Sequence, residues 1–236
     1  MSLKSNDVEE FYENQFNEMG MSSQRLYPNE EFIRFFSKFV KNNRDKSSTK
    51  IIELGCGLSS NLIPVIENGF ETFGIDISKE SIELSKNRIN NLNLKANLIV
   101  GNCLNKNFGF DFKFDIVFDV FSMYCFNEEN FLELLKNIYD SLNEDGLFYS
   151  FFPSKNSQAF TNHKPAKLID NSTLNGIYRE TSPYYGNFYT FQFLYPYEYK
   201  NLLEKVGFEV IELNTISRNH NMQETFEHIS ITSKKK

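Results

Sequence analysis

Residues 51–57 read Ile-Ile-Glu-Leu-Gly-Cys-Gly, a short apolar run that ends in two closely spaced glycines. An apolar run of this kind predicts a strand buried in a parallel sheet. The glycines predict a sharp turn in which the backbone approaches a ligand closely. A helix is predicted at 61–67, and its first N–H groups would point at that ligand. The segment therefore predicts a strand–loop–helix unit that binds a small molecule.

Two residues indicate which kind of ligand this segment binds. A dinucleotide-binding fingerprint requires a third glycine at position 60, where this chain has Ser60. The carboxylate of Glu53, at the end of the strand, would repel a pyrophosphate and would suit an ammonium group. The segment thus favours an amine-bearing ligand over a dinucleotide.

Outward from this segment, strand and helix patterns alternate along the chain. The predicted strands are 51–54, 70–75, 98–100, 115–120 and 146–152, and the predicted helices are 61–67, 78–90 and 128–142. This alternation predicts an α/β fold, a parallel sheet with helices on both faces. Two helical segments precede it, at 6–17 and 28–42. A helix at 197–206 and strands at 208–213 and 226–232 follow it.

The regular pattern stops after Pro153. Residues 154–195 are rich in Asn, Ser, Tyr and Phe. A segment this long inside a compact domain is usually functional or carries small elements of its own. We expect a hairpin with strands at 176–181 and 187–194.

Polar residues follow the second and third strands. Asp76 lies about twenty residues beyond the glycine loop, where an acid can accept both hydroxyls of a ribose. Ser78 is placed to cap the next helix. Asn102, after the third strand, is placed to contact an adenine edge.

As an ordered set, these motifs resemble the class I S-adenosylmethionine-dependent methyltransferases. The resemblance covers residues 50–152 and about 196–232, and its further motifs are Gly74–Ser78, Gly101–Cys103, Phe114–Phe118, Leu142–Phe148 and Gly207–Ile211. It implies a Rossmann-like seven-stranded sheet, mostly parallel with an antiparallel last strand. It also implies one domain over 1–236, composed of an N-terminal helical cap (1–49), a cofactor-binding half (50–152), a substrate-side insertion (153–195) and a C-terminal helix with strands (196–236).

The resemblance implies S-adenosylmethionine as the cofactor and assigns residues to it. Glu53 and the backbone of Gly55, Cys56 and Gly57 would hold the methionine part, and Asp76 would bind the ribose. Ile77 would pack on the adenine, while Asn102 and Cys103 would contact its edge. Asp119 would lie near the methionine end, and Tyr12 would cap the cofactor or pack in the core.

Residues for the acceptor are candidates only. Tyr124, His163 and His220 are the catalytic candidates, although Tyr124 could equally pack among phenylalanines. Tyr27, Arg179, Tyr184 and Tyr185 are the substrate-binding candidates. His228 is expected to be structural.

Composition and charge count against several classes of protein. A net charge of −6 disfavours a nucleic-acid partner, and the only basic run is Lys234–Lys236. Three cysteines without metal-ligand spacing predict no disulfide framework, no metal site and a cytoplasmic location. No stretch predicts a membrane span. We expect a monomer or a homodimer.

The function predicted from the sequence is methyl transfer to a small-molecule acceptor. A nicotinamide-dependent oxidoreductase is the first alternative, although Ser60 and Glu53 count against it. A catalytically inactive, cofactor-binding partner subunit is the second, with the aromatic insertion as its protein interface.

Overall fold

The computed structural model describes residues 5–236, and residues 1–4 of the predicted N-terminal cap lie outside this part. Its strands are β1 (Lys50–Leu54), β2 (Glu71–Asp76), β3 (Asn97–Val100), β4 (Phe114–Val120), β5 (Leu142–Pro153), β6 (Thr173–Leu174), β7 (Phe191–Gln192), β8 (Phe208–His220) and β9 (Glu224–Lys235). Its α-helices are α1 (Ser5–Met19), α2 (Glu30–Phe35), α3 (Leu62–Glu67), α4 (Lys79–Asn91), α5 (Glu128–Ser141), α6 (Gln158–Thr161) and α7 (Pro196–Val206). Among the described residues, no helix has both the length and the apolar character needed to cross a bilayer.

Seven strands form one sheet in the order β3-β2-β1-β4-β5-β9-β8. The pairs among β1 to β5 are parallel, whereas β9 runs antiparallel to both β5 and β8. The predicted Rossmann-like sheet with an antiparallel last strand is therefore confirmed.

Helices cover both faces of the sheet because the strand side chains alternate in direction. In β4, Val117 points into one apolar cluster together with Leu134 of α5. Phe118 points into the other, where its ring stacks on Phe32 of α2 with 4.3 Å between centroids. Because both faces of the sheet are buried, the strand sequences are continuous apolar runs.

The insertion forms a hairpin, but not in the predicted register. Its strands are β6 and β7, which pair antiparallel, so the first strand lies earlier in the chain than predicted. Ser172, Thr173 and Leu174 are fully buried. The predicted first strand, 176–181, instead leads into turns, with Ser182 N–H bonding to the Arg179 carbonyl at 3.0 Å.

Candidate active site

A cavity of about 540 Å³ opens at the carboxyl ends of the central strands. This edge of a doubly wound sheet is where ligands bind in such folds. The predicted site residues that line the cavity are Tyr12, Glu53, Gly55, Cys56, Asp76, Ile77, Asn102, Cys103, Tyr124 and Tyr184. The loops after four strands, helix α1 and the insertion thus meet around one space.

The glycine loop, residues 55–57, borders the cavity next to the turn that follows β4. Gly55 has a φ of +64°, and a Cβ there would overlap the side chain of Ser122. Gly57, which is not among the lining residues, has a φ of +47° and donates its N–H to Asp76 Oδ2 at 2.8 Å. Both positions require the conformation that only glycine adopts without strain.

Glu53 carries a buried carboxylate with one free oxygen. The side chain is 1% exposed, and Oε1 accepts a hydrogen bond of 2.7 Å from Asn61 Nδ2. Oε2 has no hydrogen-bond partner among the described residues. Burial raises the pKa of this carboxyl well above its ordinary value, and nearby acids add to the rise. A cationic ligand group would satisfy the free oxygen.

Asp76 is fixed by backbone N–H groups at the end of β2. Oδ2 accepts from Gly57 and Oδ1 accepts from Ser78 N–H at 2.9 Å. Burial raises the pKa of Asp76 despite these hydrogen bonds, which oppose the rise. Ser78 caps α4 as predicted, accepting from Ser81 N–H at 3.0 Å.

Asn102 and Cys103 border the cavity after β3. Asn102 Oδ1 accepts from Leu104 N–H at 2.9 Å, which fixes the orientation of the side-chain amide. The Cys103 carbonyl accepts from Asn137 Nδ2 at 2.9 Å. The loop that would face an adenine is thus held by α5.

Asp119 does not line the cavity, in contrast to the prediction. It is fully buried beneath the turn after β4 and accepts from the N–H groups of Ser122 and Met123 at 2.9 and 3.0 Å. The hydroxyls of Ser122 and Ser150 lie 2.5 and 3.1 Å from its carboxylate oxygens. Burial raises its pKa to about 6. Its role in the structure is to hold Ser122, which does line the cavity.

Three tyrosine hydroxyls meet beside the cavity. Those of Tyr12 and Tyr124 lie 2.8 Å apart, and each is 2.7–2.8 Å from the hydroxyl of Tyr189. Burial raises the pKa of all three, so they stay protonated. Tyr189 was missed because nothing in the insertion sequence indicates which aromatic residue reaches α1.

A second aromatic group forms the wall beyond them. The hydroxyl of Tyr184 lies 2.8 Å from Nε2 of His228, whose ring stacks on Phe151 at 4.6 Å. His228 is 8% exposed, and burial lowers its pKa to about 3, so the imidazole is neutral. Phe121 completes this wall with a φ of +63°, a conformation that is strained for a bulky residue.

The two predicted catalytic histidines do not reach the cavity wall. Nδ1 of His163 lies 2.9 Å from the Phe160 carbonyl. His220 is exposed at the end of β8, because this strand extends further than predicted. Neither residue is among those lining the cavity.

Three predicted substrate-binding residues also lie outside it. Arg179 forms an ion pair of 2.9 Å with the buried carboxylate of Glu224 on β9. Tyr27 and Tyr185 are 82% and 50% exposed. Of the four residues predicted to bind the substrate, only Tyr184 lines the cavity.

No group of three or more His, Cys, Asp and Glu side chains is arranged to hold a metal ion among residues 8–236, whose side chains the structure describes.

Residues 51–146 match the family model described as a methyltransferase domain. The chain has no significant match among curated proteins.

The fold is similar to several solved structures at low sequence identity. Magnesium protoporphyrin IX methyltransferase (ChlM) from Synechocystis PCC 6803, solved with bound SAH, gives a TM-score of 0.69 at 11% identity, covering 98% of this chain and 99% of that one. An S-adenosylmethionine-dependent methyltransferase from Clostridium acetobutylicum gives a TM-score of 0.60 at 13% identity, covering 87% of this chain and 98% of that one. The [4+2]-cyclase SpnF gives a TM-score of 0.69 at 11% identity, covering 98% of this chain and 96% of that one.

At these identities the likeness shows the fold alone, and the cyclase illustrates that one fold hosts more than one reaction. Residues 51–146 thus match a methyltransferase domain, and the chain has the fold of solved S-adenosylmethionine-dependent methyltransferases.

Proposed function

We propose that the protein transfers a methyl group from S-adenosylmethionine to a small-molecule acceptor. The observation that carries the proposal is the free carboxylate oxygen of Glu53, which shares one cavity with Asp76 and with an aromatic wall. A site with this donor set fits a ligand that has both an ammonium group and a ribose.

The residues present fit the cofactor. Glu53 would accept from its ammonium group, and Asp76 would accept from the ribose hydroxyls. Ile77 would offer an apolar surface to the adenine, and Asn102 with the backbone of Cys103 would lie at its edge. Each of these residues lines the cavity directly.

The acceptor would bind against the aromatic wall. Tyr124, Tyr184, Phe121 and Phe151 border this part of the cavity, and the insertion contributes Asn187 and Thr190. A volume of about 540 Å³ lies within the range of small-molecule sites. The charged lining residues are Arg25, Glu53 and Asp76, which do not form the basic surface that a nucleic acid requires.

The bound cofactor supplies a methyl group that its sulfonium already makes electrophilic. The protein then has to align the acceptor and exclude water. The ring of hydroxyls from Tyr12, Tyr124 and Tyr189 joins α1 to the body of the protein and closes this side of the cavity. Among the catalytic candidates, Tyr124 lines the cavity and His163 and His220 do not, which supports Tyr124 as the residue that would contact the acceptor.

A labelled-methyl assay tests the proposal. The protein is incubated with methyl-labelled S-adenosylmethionine and a small-molecule extract of cells, and products that gain the label are identified by mass spectrometry. We expect label in a small molecule and none in added DNA or RNA. Label in nucleic acid alone would contradict the acceptor class. Cofactor binding with no transfer to any pool, together with a stable protein partner, would favour the inactive partner subunit.

Location and assembly are the remaining parts of the proposal. We propose a cytoplasmic protein that is a monomer or a homodimer, and light scattering after size-exclusion chromatography measures the assembly state.

A further inference from the structure

The ring of hydroxyls from Tyr12, Tyr124 and Tyr189 uses all of its own hydrogens. Its three oxygen–oxygen distances are 2.8, 2.7 and 2.8 Å. At this separation a hydrogen must lie between each pair of oxygens, since two facing lone pairs would repel. A phenol carries one hydroxyl hydrogen, so three contacts require all three hydrogens. The closed ring therefore donates nothing to a molecule in the cavity unless one of its own hydrogen bonds breaks.

The same ring can accept hydrogen bonds. Each hydroxyl oxygen has two lone pairs and uses one of them inside the ring. Tyr12 and Tyr124 line the cavity, whereas Tyr189 does not. Cys125, which also lines it and lies close to the hydroxyls of Tyr12 and Tyr124, has a single weak S–H donor because burial raises the pKa of its thiol. This wall of the cavity thus presents acceptor oxygens to a ligand.

Burial also prevents the ring from acting as a base. It raises the pKa of all three hydroxyls, and the nearby charge of Asp76 adds to the rise at Tyr12. A phenol removes a proton only in its ionised form, so this ring can bind an N–H or O–H group without taking its proton. A carboxylate would direct its own lone pairs at the ring oxygens and would be repelled.

A neutral primary or secondary amine matches these properties. Its N–H groups donate to the ring oxygens, and its lone pair stays available to face the methyl group. During transfer that lone pair forms the N–C bond while the S–C bond breaks, and the electron pair of the S–C bond stays on sulfur. The positive charge passes from sulfur to nitrogen. The nitrogen keeps its protons until the product leaves and releases one of them to water.

The hydrogen bonds to such an amine would strengthen as the reaction proceeds. A donor on a nitrogen that becomes positive forms a charge-assisted hydrogen bond, which is about twice as strong as a neutral one. The ring would therefore stabilise the transition state more than the bound amine. The ring of Phe121, whose centroid lies 4.6 Å from that of Tyr124, borders the same cavity and would add a cation–π contact.

We propose that the methyl acceptor is a primary or secondary amine, whose N–H groups donate to the hydroxyl oxygens of Tyr12 and Tyr124. Tyr189 is then a positioning residue, because its hydroxyl closes the ring and keeps the other two hydroxyl hydrogens away from the amine lone pair. The inference rests on the proposed function and names the class of acceptor for the same site.

A chemically blocked extract tests the class of acceptor. One half of a small-molecule extract is treated with acetic anhydride, which acetylates primary and secondary amines, and then with hydroxylamine, which frees acetylated phenols and thiols. The other half is treated with hydroxylamine alone. Each half is incubated with the protein and methyl-labelled S-adenosylmethionine. We expect labelled product in the unblocked half only, and this label should resist alkali, which releases methyl esters as volatile methanol.

The outcomes separate the two levels of the argument. Equal labelling of both halves, or label that alkali releases, would overturn the amine as acceptor and leave methyl transfer intact. Absence of label from the unblocked half would overturn the proposed function, and the amine with it.

Tyr189→Phe tests the ring itself, with the amine identified from the labelled product as the acceptor. The substitution leaves two hydroxyl hydrogens for the one contact between Tyr12 and Tyr124, so one hydrogen can bond to the amine lone pair. This bond stabilises the bound amine and must break before transfer. We expect kcat to fall about tenfold, the effect of one hydrogen bond, with no rise in KM. Tyr185→Phe, on a half-exposed side chain outside the cavity, is the control and should change neither constant.

The affinity for S-adenosylhomocysteine should be the same in both variants, which shows that the cofactor side is still folded. An unchanged kcat in Tyr189→Phe, or a rise in KM alone, would overturn the role of the ring.

Discussion

The two halves of the cavity are built in different ways. On the cofactor side, Glu53 and Asp76 lie at the ends of β1 and β2, and Asn102 follows β3. Each accepts a hydrogen bond from a neighbour close in sequence, such as Asn61 for Glu53. On the acceptor side, Tyr12 meets Tyr124 and Tyr189, which are 112 and 177 residues away in the chain. The first half depends on local backbone geometry, whereas the second depends on long-range packing.

The largest expected effect is on the free energy of unfolding and comes from Gly55 in the glycine loop, where an added side chain would overlap Ser122. Gly55→Ala combines a positive φ with overlap of Ser122, and Gly69→Ala has a positive φ but open space around it. We expect Gly69→Ala to cost about 1 kcal/mol of unfolding free energy. Gly55→Ala should cost about 2–4 kcal/mol because overpacking is added to the same strain. Chemical denaturation measures both, and equal losses would show that the overlap does not matter.

The ribose assignment predicts the next largest effect. Asp76→Asn should weaken S-adenosylhomocysteine binding about ten- to a hundredfold because a charged acceptor becomes neutral. Asp115 is the matched control, since it lies at the opposite end of the sheet and accepts from Lys50 N–H at 2.8 Å. Asp115→Asn should leave the affinity unchanged in the same titration. Equal effects of the two variants would refute the assignment of Asp76.

Protonation of Glu53 should make cofactor binding depend on pH. Burial raises its pKa in the free protein, and a bound ammonium group favours the ionised form and lowers that pKa. The complex then holds fewer protons than the free protein, so binding releases protons and tightens as pH rises. For one proton, affinity should fall by at most about tenfold per pH unit on acidification. Titrations in buffers of different ionisation enthalpy measure the release.

Glu53→Gln is the control for this pH dependence and should remove most of it. If S-adenosylhomocysteine bound the unsubstituted protein equally well throughout the range of about pH 5 to 8, Glu53 would not be the ammonium ligand.

The smallest expected effect is a loss of unfolding free energy when a tyrosine hydroxyl on the acceptor side is removed. Tyr189→Phe removes two hydroxyl contacts but leaves the one between Tyr12 and Tyr124, so unfolding free energy should fall by about 1–2 kcal/mol. Tyr185→Phe, on a half-exposed side chain, should change it by less than about 0.5 kcal/mol. Cofactor affinity should not change in Tyr189→Phe, since this residue does not line the cavity. A large loss of that affinity would break the distinction between the two halves.

The same distinction explains what the sequence could predict. Strand-end motifs identified Glu53 and Asp76, because periodicity and glycine spacing already determine where a strand ends. Asp119 shows the limit of this reasoning. Its position at the end of β4 agrees with the prediction, but its side chain turns inward to hold Ser122, a direction that periodicity does not specify.

The acceptor side could not be predicted to the same depth. Tyr189 has no local pattern that marks it, because its position depends on how α1 and the insertion pack. Arg179 was predicted to bind substrate, but the buried Glu224 holds it instead. His220 was placed in a turn, and the longer β8 moved it out along an exposed hairpin.

Glu53 and Ser60 favour S-adenosylmethionine over a dinucleotide as the ligand of the cavity. Calorimetric titration of the unsubstituted protein with S-adenosylhomocysteine and with NAD distinguishes the two ligands. We expect saturable binding of one S-adenosylhomocysteine per chain and no heat of binding with NAD. Saturable binding of NAD without any response to S-adenosylhomocysteine would contradict this expectation.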